Sequence, residues 1–364
     1  MVRRQKYLSS IGKSVREVFV QFFIRIAKEM PDCILASFGK LKYVSSPNFL
    51  KFRQHFKAKF KGGFVCRANT FDNVKGLFPI GFLIWDLSNK ITISKVKVDV
   101  LANDRPLTEC WKDGVKIFHV VDEKNSMNDW LKQFTEESPE ENPISMCCIG
   151  NDFQHNNFVN INHCNQLTGV GNAKGIARFT ITPGNFIESC IYFSVRHCMK
   201  PTWLNDRDQF LWPNDGYLHN KDFQKDCIVF TLFHSQNRIG SQDGVNHLIP
   251  FTAREVKAKD NFQSAFMSDF LRKQKMSKEA QAVFEAGKAL WKYYHETIEQ
   301  DDKALIDASL YEIREYFKGR DEKGKMRMNA TDERFNELDV ALRSALKELA
   351  QRIQPKIYEY GFLK

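Results

Sequence analysis

Residues 14–38 leave the chain few choices. In SVREVFVQFFIRIAKEM (14–30), Val15, Val18, Phe19, Phe22, Phe23, Ile26 and Met30 recur at helical spacing, and Val20 and Ile24 widen the stripe almost all round. A helix that apolar is buried between layers rather than laid on a surface. Ser14, with Glu17 three residues later, predicts a capping box at its start, and Pro31-Asp32 ends it. The next run, ILASF (34–38), has strand length and no polar alternation, which suits a strand covered on both faces.

Ser46-Pro47 reads as a second helix start. Phe49, Phe52, Phe56 and Phe60 follow on one face, Lys51, Arg53, Lys57 and Lys59 point elsewhere, and Gly62-Gly63 is the expected stop. GFVCRA (63–68) and PIGFLIWDL (79–87) are strand-like and flank the polar loop NTFDNVKG. Residues 14–87 therefore read helix, strand, helix, strand, strand: the second half of an open α/β sheet, ending in a hairpin.

The style then changes. ITISKVKVDV (91–100) alternates like a half-buried strand, with a parity slip near Lys95, and TEESPEENP (135–143) is an acidic loop or linker. Between 145 and 250, ARFTIT, CIYFSV and CIVFTLF are short β-like runs among Asn, Asp and Gly. From about 255 helical patterns dominate, near 261–273 and at 277–297, 309–317 and 332–353. The expected division is an α/β region at 1–90, a mixed α+β region at 91–254 and a helical region at 255–364.

With 364 residues, 43% of them hydrophobic, the chain can bury roughly two to three cores. Its longest apolar runs fall short of the roughly 20 residues of a membrane span, and its start has no apolar signal core. Nine cysteines without a C-x-x-C argue against a zinc cluster or a disulfide framework. The expected address is the reducing cytoplasm, with no membrane and no metal. Net charge is +10, unevenly spread: residues 1–78 carry 16 Lys/Arg against four acids, and the remainder is at −2. That asymmetry points to a polyanion, nucleic acid first.

Recognisable catalytic signatures are scarce. GVGNAKG (169–175) lacks the strand before and the helix after that a phosphate loop needs, so it reads as a glycine-rich turn. Asp243 with Glu255-x-Lys257 only weakly imitates a nuclease centre, since 255–257 resembles a helix start. His163-Cys164 and His197-Cys198 are adjacent pairs, poor geometry for a shared metal. Residues 202–239 interleave Trp203, Phe210, Trp212 and Tyr217 with Asn205, Arg207, Gln209, Asn214, Gln236, Asn237 and Arg238. Arg, Asn and Gln can read base edges and aromatics can stack on bases, but the same mixture also builds a small aromatic core with polar loops.

REVFVQFFIRI, ILASFGKLKYVSSPNFLKFRQHF and GGFVCRANTFDNVKGLFPIGFLIWDL resemble the part of bacterial adenine-specific DNA methyltransferases that follows their catalytic tetrapeptide. TWLNDRDQFLWPNDG, TLFHSQNRI, SLYEIREYF and IYEYGFLK resemble the recognition and C-terminal regions of one subgroup of these restriction–modification enzymes. The likeness spans essentially the whole chain in matching order. It implies a methyl group taken from S-adenosylmethionine and a target adenine flipped out of duplex DNA, because its amine is out of reach inside the stack. It places Phe71, in NTFDNV, against the flipped base. The basic charge of the first segment puts Lys40, Lys42, Lys57, Lys59, Arg67 and Lys75 along phosphates, and the polar–aromatic block makes Arg207, Gln209 and Arg238 the candidates for base contacts.

The chain also departs from that pattern. It contains no Asn/Asp-Pro-Pro-aromatic tetrapeptide, and no strand, glycine-rich turn and acidic residue in series to hold the cofactor. Both are expected upstream of Met1, on an N-terminal half encoded separately or lost. The chain alone is then expected to be inactive, to bind no S-adenosylmethionine and to expose a large apolar patch within 1–87. A non-catalytic DNA-binding specificity module and a degenerate fragment are the rival expectations.

Overall fold

A computed structural model describes residues 9–364 apart from 75, 77, 103–104, 107–113, 122–124, 150–152, 154–158, 165–174, 200–201, 205–209, 273, 300 and 302–303. The fold is α/β, with one mixed sheet, a second smaller sheet and C-terminal helices. It divides into two units: unit 1 spans 1–130, 201–212 and 363–364, and unit 2 spans 131–200 and 213–362.

In unit 1, a 3-10 turn at Ser9–Arg16 precedes α1 (Val18–Glu29). The expected capping box does not form. Ser14 is still inside the turn, where its Oγ donates to Ile11 O at 2.5 Å, and Glu17 caps α1 without a side-chain bond. Strand β1 (Ile34–Lys40) leads to α2 (Lys42–Ser45), a 3-10 turn at Pro47–Phe49 and α3 (Leu50–His55). The second helix thus ends at His55, short of the expected Gly62-Gly63, and Phe60 belongs to the next strand. Phe56 caps α3, and Ala58 N–H bonds Ile91 O at 2.9 Å, turning the chain toward the sheet. Arg53 is buried, contrary to its expected outward face: its guanidinium donates to the carbonyls of Tyr43, Ser46 and Val121.

Strands β2 (Lys59–Arg67) and β3 (Pro79–Asp86) form the expected hairpin. The glycine pair lies inside β2 at a bulge, and Gly63 is required there because a Cβ would sit 2.2 Å from Phe82 O. β3 is antiparallel to both β1 and β2, so those two run parallel with β3 wedged between them. β4 (Lys95–Ala102) extends the sheet parallel to β2, and β5 (Arg105–Pro106) and β6 (Val115–His119) both pair with β4.

One face of this sheet is packed. Leu35, Val65, Leu83 and Trp85 lie in a core with Phe23, Tyr43, Phe52 and Phe56, and Trp85 Nε1 donates to Tyr43 Oη at 3.0 Å. The other face is not. Ile34 and Phe38 are 58% and 47% exposed, and Phe64, Ile80, Phe82 and Ile84 beside them are only half-buried. β1 also ends the strand order, with no strand on its outer edge among the described residues. The doubly covered strand expected from ILASF is therefore covered on one side only. On α1, Val20, Phe23 and Ile24 are buried while Val18 and Phe22 are 63% and 58% exposed.

The chain continues through α4 (Met127–Lys132). In unit 2, β7 (Ile144–Ile149) lies between β8 (Asn160–His163) and β9 (Ile176–Thr180). The β-like runs CIYFSV and CIVFTLF are helical instead, within α5 (Phe186–Cys198) and α7 (Lys221–Phe233), with the short α6 (Gly216–His219) before α7. Both long helices are buried nearly all round, which removes the polar phase that would reveal a 3.6-residue period. They are tied by Ser194 Oγ to Cys227 O at 2.9 Å and Thr231 Oγ1 to Cys190 O at 3.2 Å.

Four helices follow: α8 (Phe266–Arg272), α9 (Lys278–Thr297), α10 (Leu310–Lys318) and α11 (Glu333–Glu359). Residues 255–257 are turn rather than helix start. Glu255 accepts from Thr252 and pairs with Lys288, while Lys257 pairs with Glu296, so the two share no site. α9 packs so closely on α7 that a Cβ on Gly287 would lie 2.1 Å from the Phe233 ring. Among the described residues no helix is long and apolar enough to cross a membrane.

Candidate nucleic-acid interface

The carboxyl ends of parallel strands in an open α/β sheet are where loops gather and ligands bind. Here those ends belong to β1 and β2. Lys40 closes β1 and Arg67 closes β2, flanking the start of β3 through the pairs Lys40↔Ile80 and Arg67↔Pro79. Lys42, the first residue of α2, is exposed. The loop from Ala68 to Phe78 carries Phe71, half-buried and edge-on to Phe38 with ring centroids 5.3 Å apart. Phe38 also meets Phe82 at 4.8 Å and Phe64 at 6.0 Å, so Phe71 extends the open aromatic face of the sheet.

Cations and aromatics interleave at this end. Lys40 Nζ lies 5.6 Å from the Phe78 ring centroid, and the Arg67 guanidinium carbon lies 5.7 Å from that of Trp203. Arg67 Nε is buried without a hydrogen-bond partner. A guanidinium over an indole ring, an ammonium group and an aromatic wall suit phosphate and base contacts together. Lys57 and Lys59 lie elsewhere. Lys59 pairs with Asp86 at the opposite end of β2, about 26 Å away along an eight-step strand. Lys75, Arg207 and Gln209 lie outside the described residues.

In unit 2, Arg238 lines a cavity of about 580 Å³ with Asn162, Gln242, Tyr311, Tyr316 and Arg320. The backbone of 236–238 is bridged to β8: Ile161 N–H bonds Gln236 O at 2.9 Å and Arg238 N–H bonds Ile161 O at 2.8 Å. Arg320 is fully engaged, donating to Glu315, Gly324 O and Tyr311 Oη. Arg238 has no side-chain partner among the described residues, and neither does Nδ2 of the buried Asn162. Both donors belong to this cavity's lining, which also includes the Gln242 amide.

Several polar residues of 202–239 do structural work. Asn237 Nδ2 donates to Thr231 O and Leu232 O, closing the end of α7. Asn214 donates from Nδ2 to Glu359 O and from its backbone N–H to Tyr360 O, and Tyr217 is buried. An exposed apolar patch within 1–87 is expected from sequence, but not that Phe38, Phe64 and Phe82 form it, although the two-residue spacing of Ile80, Phe82 and Ile84 carries that face. Among the described residues no three His, Cys, Asp or Glu side chains group to hold a metal ion. Among the described residues the cysteines are free thiols, and burial pushes Cys147 up to about 12.

No protein-family model, curated protein or solved structure matches this chain.

Proposed function

We propose that this chain binds duplex DNA and recognises the target of a site-specific adenine methyltransferase, and that a further α/β segment completes its sheet and carries the chemistry. One observation carries the proposal: the bare edge of β1 and the open face of Ile34, Phe38, Phe64 and Phe82 run directly to Phe71. A parallel strand added along β1, with helices over that face, would bury both and bring the segment's own strand ends beside Phe71. Such a completed sheet is of the methyltransferase type that the sequence resembles. Phe71 then packs on the flipped adenine, Lys40, Lys42 and Arg67 hold adjacent phosphates, and Arg238 reads a base edge.

S-adenosylmethionine belongs on the completing segment. Its ribose diol and sulfonium call for carboxylates at a strand end, whereas β1 and β2 end in Lys40 and Arg67. The described residues do not fit the cofactor, and this chain's part is to grip, position and read DNA. A non-catalytic specificity module is the second reading, favoured by the missing tetrapeptide. It differs in needing neither partner segment nor cofactor.

The test joins binding to methyl transfer. The purified chain should prefer particular duplexes over heparin and random DNA in anisotropy titrations. It should label no DNA with tritiated S-adenosylmethionine until a segment bearing the glycine-rich turn and Pro-Pro tetrapeptide is added. Unaided labelling, or equal affinity for every polyanion, overturns the proposal. Selective binding with no labelling after the segment docks leaves the specificity module as the function.

A further inference from the structure

A cleft of about 590 Å³ lies within unit 2, lined by the ends of α5 and α7 and by residues of α10 and α11. Its charge comes from one carboxylate and four cations. Asp339, with a side chain 2% exposed, takes Arg314 Nε at 3.0 Å, Lys318 Nζ at 2.8 Å and Arg343 Nε at 3.4 Å. Burial works against its ionisation, but Arg314 and Lys318 outweigh it and hold the carboxyl below its usual range. Lys347, one turn beyond Arg343 on α11, adds a cation with no partner among the described residues.

The neighbouring histidines add no charge. His197 and His234 have ring centroids 4.6 Å apart; burial pushes His197 down to about 4 and His234 well below its usual value. His234 Nδ1 accepts the Gln236 N–H at 3.2 Å, leaving Nε2–H as the ring's donor. Phe230 and Leu346 add apolar lining.

Folding alone does not call for this surplus. One carboxylate is neutralised by one cation, and like charges four residues apart on a helix, Arg343 and Lys347, repel. Guanidinium forks and ammonium groups around an open volume match the oxygens of a phosphate. We propose that this cleft seats a phosphodiester of bound DNA, with Arg343 and Lys347 touching its oxygens and the Arg314–Asp339–Lys318 cluster fixing the charge behind them. This rests on the DNA-binding reading above and adds to it a contact on α10 and α11.

The experiment uses the full chain with Arg343→Gln and Lys347→Gln. Both side chains belong to exposed residues, so the fold should survive. Lys278→Gln, which removes a charge from a residue outside the cleft lining, is the control. Each cleft variant should lower the slope of log affinity against log salt by about one unit, on every duplex alike. Slopes equal to wild type, or a loss no larger than that of Lys278→Gln, overturn the assignment while leaving DNA binding intact. Inorganic phosphate that raises the wild-type melting temperature but not the variants', with DNA slopes unchanged, assigns the cleft to a free anion and overturns the DNA contact. No DNA binding by the wild-type chain overturns both this inference and the reading beneath it.

Discussion

His295 sits on α9 with 4% of its surface exposed and both ring nitrogens unpartnered. A buried polar group without a hydrogen bond costs about 1–3 kcal/mol, so His295→Leu should raise the melting temperature, as calorimetry would record. Burial also pushes its pKa down to about 4, as it does for His197, and pushes His234 lower still. All three are neutral in the fold, while in the unfolded chain they take up protons near pH 6.5. As pH falls from about 6.5 to 4 the unfolded state binds more protons, so stability is lost across that window. Denaturant midpoints measured at pH 7 and pH 4.5 should differ, and His295→Leu should shrink the difference; an unchanged difference would rule out burial of His295. At this scale the sequence was only partly informative. Lys40, Arg67 and Phe71 converge as candidate contacts, but Asn214 and Asn237 bond backbone carbonyls, a role that composition cannot separate from base readout.

The elements divide by how much solvent they meet. α9, α10 and α11 keep a polar face, so their periodicity and caps are visible in the sequence: Ser277 caps α9, Ser309 with Glu312 forms a capping box on α10, and Asp332 caps α11. α5 and α7 have no such face, and their β-branched and aromatic residues imitate strands. β1 presents the reverse case: its sequence asks for cover on both sides, and one side is open. Ile34→Lys should therefore leave stability within about 0.5 kcal/mol of wild type, because the side chain already meets water. It should also reduce self-association in sedimentation and block assembly with a completing segment. In hydrogen exchange of the isolated chain, β1 amides that do not bond β3 should exchange rapidly. Slow exchange throughout Ile34–Lys40 would mean that the edge is already occupied.

Across the whole molecule, basic charge is unevenly spread along the chain. Among the described residues of 1–78 the basic charge is not one patch, because β2 separates Lys57 and Lys59 from Lys40, Lys42 and Arg67 by its own length. A duplex seated on the carboxyl ends of β1 and β2 must weigh the two groups unequally. Screening limits direct pairing to about 8–10 Å at physiological salt, so a lysine about 26 Å away contributes little to the same phosphates. The Lys40→Gln, Arg67→Gln double variant should then lower affinity severalfold and reduce the salt slope by about two. The Lys57→Gln, Lys59→Gln pair removes the same charge and should change the slope by much less. Arg67 adds a contrast of its own, since its guanidinium lies over the Trp203 ring: Arg67→Lys keeps the charge but loses the guanidinium fork, and should recover the slope without recovering full affinity. If both lysine-bearing pairs cost the same, the duplex follows total charge rather than the strand ends, and the proposal that Phe71 meets a flipped base is overturned.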